Sequence, residues 1–234
     1  MTSGVSRARL RRFFAIDWKH AIGELTLIVA GVLIALAVND WNQARQDRRT
    51  EVEALGEIRA ALAEDLQDIR GDLDRHRRAV AAGEELLAGL GQAGACGDRV
   101  GEDVAALLSA PLHVSNTAAY ESVKSRGLGL IGDDSLRLAI IHLYAYRNTV
   151  IDIANERGNR FVDDVLRPFV RARFRLDATG RLTPVDCRSL LGDPAFRNLL
   201  VEDLGLRRYA ISRYEPTEVE IPTLRAAIQR EARR

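Results

Sequence analysis

AIGELTLIVAGVLIALAVNDW, residues 21–41, decides how the rest of the chain is read. Residues 25–38 carry no charge, and extending back to Ala21 gives 18 residues interrupted only by Glu24, about a turn inside the end. At about 1.5 Å per residue, residues 21–41 make a helix about 32 Å long, close to the hydrocarbon thickness of a bilayer. Trp18 and Trp41 bracket the stretch, as the aromatic belts of a spanning helix do. The segment therefore reads as a transmembrane helix, with Trp18, Glu24, Gly31, Ala35 and Trp41 as its anchoring and packing positions. Gly31 and Ala35 form a small-xxx-small pair through which a second helix can approach closely. Two other readings stay open. One is a cleaved signal peptide, with Ala35-Leu36-Ala37 as its small-x-small site and Arg11-Arg12-Phe13-Phe14 as an address. The other is a buried core helix, which would need apolar neighbours on every side that no other segment supplies.

The flanks set an orientation. Residues 1–20 hold Arg7, Arg9, Arg11, Arg12 and Lys19 against Asp17 alone, while Arg45, Arg48 and Arg49 follow the span. A short Arg-rich tail resists translocation, so the N-terminus is expected in the cytoplasm and the C-terminal part beyond the inner membrane, in a bacterial periplasm. Charged residues make up 29% of the 234 residues at a formal net charge of +1, which gives no basic face for nucleic acid. Cys96 and Cys187 are widely separated and fit either one disulfide in an oxidising compartment or two unrelated buried thiols.

After the span, apolar residues recur in a heptad-like register. Val52, Arg59, Leu66, Leu73, Val80 and Leu87 fall on one row, and Leu55, Leu62, Ile69, His76, Gly83 and Leu90 on another. This period predicts a long coiled-coil-like helix over 42–90, continuous with the membrane helix. Arg59, His76 and Gly83 in the seam favour packing within a bundle over a free coiled coil. Glycines at 89, 91, 94, 97 and 101 predict a loop with a short helix at 102–108, stopped before Pro111. Ser115 or Asn116 is placed to cap a helix over 117–126 that ends at Gly127. Asp133 or Asp134 opens a longer helix that Pro168 should kink or end. Asp177-Ala-Thr-Gly180 predicts a small hairpin near 173–185, and Asp193 with Pro194 opens a helix to about Arg213. Pro216 and Pro222 should separate it from a last helix. The expected fold class is all-α: a transmembrane helix running into a long helix of an antiparallel bundle. Its expected divisions are a basic tail (1–20), the span (21–41), the long helix (42–90), a glycine-rich loop with its short helix (91–114) and the bundle (115–234).

Residues capable of chemistry are sparse. Gly127, Gly129 and Gly132 spell G-x-G-x-x-G with Asp152 further on, but the preceding segment reads as helix where a dinucleotide site needs a strand. His20, His76, His113 and His142 are scattered without metal-ligand spacing. Tyr120, Tyr144, Tyr146 and Arg147 read as core rather than a pocket lining. No catalytic residue, cofactor or metal is expected, and no enzyme.

The membrane exit VNDWNQAR (38–45), the long helix after it and AYESVKSRGLGLIGDDSLRLAI (119–140) resemble an uncharacterised family of bacterial single-span membrane proteins. Asn39-Asp40-Trp41-Asn42 corresponds to that family's Asn-x-Trp-Asn exit motif. The resemblance implies an N-terminal anchor and a helical extracytoplasmic domain, with no activity attached. The expected function is a membrane-anchored helical scaffold or interaction module, in contact with the bilayer and with a protein partner or a second copy. An extracytoplasmic ligand-sensing bundle that signals through a partner is the alternative.

Overall fold

The computed structural model describes residues 18–92, 94–97 and 99–234, with side chains from residue 22 onward. Residues 1–17 of the basic tail and the side chains of residues 18–21, Trp18 among them, lie outside the described residues. The elements are α1 (Trp18–Gly89), α2 (Arg99–Leu107), α3 (Ala118–Arg126), a 3-10 turn (Leu128–Leu130), α4 (Asp134–His142), a π turn (Leu143–Arg147), α5 (Asn148–Phe161), a second π turn (Val162–Leu166), α6 (Arg167–Arg173), β1 (Phe174–Leu176), β2 (Leu182–Pro184), α7 (Cys187–Leu191) and α8 (Pro194–Glu231). The fold is all-α with one small antiparallel two-stranded sheet. By compactness the chain divides into Met1–Thr50 and Glu51–Arg234.

Within Glu51–Arg234, cross-helix pairs fix the topology. Arg59 with Gln229, Arg70 with Glu218, Arg77 with Glu215 and Arg208 with Glu84 run α8 antiparallel to α1. Glu51 meets Gly132, while Ser115 joins Asp65 to Asn148, so α4 and α5 run parallel to α1. Two core clusters result. One joins Leu55, Leu62 and Ile69 of α1 to Tyr120, Ile140, Ile151 and Ile221. The other joins Ala79 and Leu86 to Val104, Phe161, Leu166, Phe196 and Leu200.

The buried stripe of α1 differs from the sequence reading. Leu55, Leu62, Ile69, His76 and Gly83 face inward as expected. Of the other expected row, Leu66 and Leu73 are buried, but Val52, Val80 and Leu87 are only half-buried and Arg59 is exposed and reaches Gln229 at 3.2 Å, while the row Glu51, Ile58, Asp65, Asp72, Ala79 and Leu86 is buried throughout. Three of the six buried residues in that row are carboxylates, a pattern that reads as solvated until their partners are known.

Three boundaries also differ. Thr117, not Ser115 or Asn116, stands at the N-cap of α3, with no side-chain cap bond, and Ser115 Oγ and Asn116 N instead donate to Asp65, at 3.4 and 2.7 Å. Helix continues past Pro168 to Arg173, since the wider π turn over Val162–Leu166 takes up the register where proline has no N–H to give. Pro216 and Pro222 lie inside the single helix α8. Both are exposed, so water can satisfy the carbonyls they free, while Tyr214, Thr217, Ile221 and Leu224 hold the other face against the core.

The hairpin pairs Phe174 with Pro184 and Leu176 with Leu182, turning at Gly180 (φ 84°). It abuts α2 at Gly101, where a Cβ would run into the carbonyl oxygen of Leu182. Asp133 and Asp193 cap α4 and α8, accepting from Leu136 N at 2.9 Å and Ala195 N at 2.8 Å. Cys96 and Cys187 are joined in a disulfide with Cα atoms 5.8 Å apart.

Candidate functional site

In the first unit, α1 is long and apolar enough to cross a membrane. Every large apolar side chain from Ile22 to Val38 is exposed, between 49 and 78%. Thr26 Oγ1 donates to Ile22 O at 2.7 Å, so its one hydroxyl is satisfied within the helix. Gly31 has no atom near the position of an added Cβ, and Ala35, Glu24, Asn39, Asp40 and Asn42 are all exposed. Trp41 is 64% exposed, with the Arg45 guanidinium 5.7 Å from its ring. An apolar run ending in a tryptophan and an arginine suits the boundary between hydrocarbon and water.

The second unit contains a polar layer between its two apolar clusters. α1 contributes Asp72 and His76, α5 contributes Asn155, α8 contributes Asp203, Arg207 and Tyr214, and the segment before α3 contributes His113. Tyr214 Oη donates to Asp72 Oδ2 at 3.1 Å and accepts from Asn155 Nδ2 at 2.7 Å. Asp72 also accepts from Arg75 at 2.8 Å. Arg207 donates to Asp203 at 2.7 Å and to the carbonyls of Leu107 and Ser109, so the buried cation is paired and each of its three nitrogens has an acceptor. Burial raises the Asp203 carboxyl, and Arg207 opposes that rise. His76 and His113 flank Tyr214, with ring centroids 5.6 and 5.9 Å away. The Asn155 side chain lies beside the His76 ring, and the His113 ring nitrogens have no hydrogen-bond partner among the described residues. Burial, followed by the charge of Arg207, lowers His76 to about 4, so it is neutral near pH 7.

An open cleft of about 370 Å³ reaches this layer from outside, lined by Leu112, His113, Asp152, Asn155, Glu156, Asn159, Arg160, Asp163 and Asp164. The second π turn supplies Asp163 and Asp164. Such turns often mark functional positions in helices. Asp152 is raised by burial, with His113 opposing.

The sequence candidates are dispersed. His142 lies 3.1 Å from Glu220, which also accepts from Arg147 at 2.8 Å. Tyr120 stacks on Tyr144 at 4.6 Å within the core, and Tyr146 is exposed. Gly127 caps α3, so helix precedes the glycine motif, and Asp152 belongs to the cleft instead. Among the described residues, no three His, Cys, Asp or Glu side chains converge to hold a metal. Sequence reasoning missed Asp72, Asn155, Asp203, Arg207 and Tyr214. The signal available was weak: polar residues falling in the inward register of three helices.

Residues 24–165 match the model of a family described only as "Family of unknown function (DUF6090)". The chain belongs to that family. The match runs from the apolar stretch through α5 into the second π turn, and α8 lies outside it. No curated protein and no solved structure matches the chain.

Proposed function

We propose that this DUF6090 member is a single-pass membrane protein whose helical domain, Glu51–Arg234, serves as a scaffold or interaction module for a protein partner or a second copy of itself. The observation carrying the anchor is the run of exposed apolar side chains over residues 22–41, which would cost too much to leave in water. The helix passes through Val38 without a break, which favours a retained anchor over cleavage near Ala35-Leu36-Ala37. The bridge between Cys96 and Cys187 favours an oxidising compartment, and with the Arg-rich N-terminal flank it supports a cytoplasmic N-terminus and a periplasmic domain.

Two measurements test this reading. Carbonate-washed membranes should retain the full-length chain, and a soluble form beginning near Val38 would refute the anchor. After reduction, a thiol reagent confined outside the inner membrane should label Cys96 and Cys187. Labelling that needs the inner membrane opened would reverse the orientation. A second reading, a ligand-sensing bundle, is favoured by the cleft that opens onto the polar layer.

A further inference from the structure

We infer that the helix face carrying Trp41, Arg45 and Arg49 binds the headgroup of an anionic phospholipid where α1 leaves the bilayer. This rests on the anchor reading and names the lipid class that the anchor prefers. The face follows from helix geometry. At about 100° per residue, Arg48 falls about 20° to one side of Trp41, while Arg45 and Arg49 fall about 40° and 80° to the other. Asp40 and Asp47 fall about 100° and 120° away from Trp41, on the far side of Arg48. All three cations between Trp41 and Thr50 therefore share one sector with the tryptophan, and both acids of residues 40–50 lie outside it.

The side chains of this face lean towards the span. In a helix the Cα–Cβ bond tilts towards the N-terminus, which for these arginines is the membrane side. Arg45 shows the lean, with its guanidinium 5.7 Å from the Trp41 ring one turn back. It stands about 6 Å beyond Trp41 along the axis, within a headgroup layer about 5 to 7 Å deep, and the long stem of Arg49, a turn further out, spans the remaining distance. Arg45 and Arg49 are exposed, and neither is ion-paired among the described residues. A guanidinium fork matches phosphate oxygens. A phosphatidylcholine headgroup offers the same phosphate but brings a cation that repels the neighbouring guanidinium, whereas phosphatidylglycerol brings none. A second copy of the chain is a poor occupant of this face, because two-fold symmetry would set arginine against arginine.

The test uses the full-length chain with W18F, which leaves Trp41 as its one tryptophan. It is reconstituted into phosphatidylcholine vesicles holding a minor fraction of either phosphatidylglycerol or phosphatidylcholine brominated in its acyl chains. Brominated lipid quenches tryptophan fluorescence on contact, so the signal reports which lipid sits beside this face. Stronger quenching by the anionic lipid is expected. R45Q and R49Q should each lower its relative affinity about fivefold, the share of one interfacial cation. R175Q, which removes an exposed arginine of the hairpin, should leave it unchanged. Arg45 and Arg49 are exposed, so their variants should fold, and unaltered circular dichroism checks this. Equal quenching by the two lipids, or an excess undiminished in both R45Q and R49Q, would overturn the inference and leave the anchor standing. Quenching by neither lipid would sink the anchor reading, and the inference with it.

Discussion

Residues 22–41 and residues 51–86 belong to the same helix, yet they place their polar and apolar groups in opposite ways. In the first stretch every large apolar side chain is exposed and the one hydroxyl is hidden against the backbone. In the second, the buried face includes Glu51, Asp65, Asp72 and His76. Each of the three carboxylates ties another element to α1: Glu51 holds Gly132 N at 2.8 Å, Asp65 holds Asn116 N at 2.7 Å, and Asp72 holds Tyr214 Oη. A helix can thus be read from composition where the surroundings are uniform. Where each inward position faces a different partner, composition misleads.

The largest effect that should separate the two stretches comes from the disulfide. Cys96 and Cys187 are 91 residues apart in sequence and lie within the compact unit Glu51–Arg234. In the chain-entropy model, opening such a loop costs about 4 to 5 kcal/mol of stability. Denaturant unfolding of the full chain in detergent, with and without reductant, should show this loss. Carbonate retention should not change, because residues 22–41 are untouched.

Next in size is a matched pair of truncations. Leu62 is fully buried, so L62A should cost about 2 to 5 kcal/mol in unfolding of the domain. Leu33 is 60% exposed, and L33A should leave the unfolding midpoint where it was. Equal effects of the two would mean that Leu33 contributes to a folded core as Leu62 does, which would sink the anchor reading. A similar contrast holds for carboxylates. D72A strands the Tyr214 hydroxyl and should cost about 1 to 3 kcal/mol, whereas D47A removes only an exposed partner of Gln43 and should stay within about 0.5 kcal/mol.

These contrasts also explain what could be read from the sequence. The all-α class, the hairpin, the cap at Asp193 and a cap within the pair Asp133-Asp134 were legible, because period and turn chemistry are local. The two α8 prolines were misread as breaks, since only packing on the opposite face shows that the helix can tolerate them. Asp65 was missed as an anchor and Ser115 was assigned to a cap, because their partnership spans 50 residues. The cleft was invisible for the same reason. Asp152 was noticed only as a companion to a glycine motif, and His113 only as an isolated imidazole.

The smallest expected effect, and the most specific to the polar layer, is its response to acid. His76 has an ordinary value of 6.5 and is lowered to about 4 in the folded chain by burial and then by Arg207. The unfolded chain therefore takes up a proton first as pH falls. Stability is fully present above pH 6.5 and is lost as pH drops towards 4. The slope is about 1.4 kcal/mol per pH unit, so one unit below 6.5 should remove about 1.4 kcal/mol. Asp65, Asp152 and Asp203 have carboxyls raised by burial, and their proton uptake in the folded state opposes this loss at the acid end. The informative quantity is consequently the difference between wild type and H76Q, measured by denaturant unfolding at pH 7.5 and about 5.5. H76Q should be less stable than wild type at the higher pH, and the gap should close by about 1.4 kcal/mol at the lower one. A gap that stays constant across this range would mean that His76 takes up its proton in the folded chain as readily as in the unfolded one, and the polar layer would then be open to water.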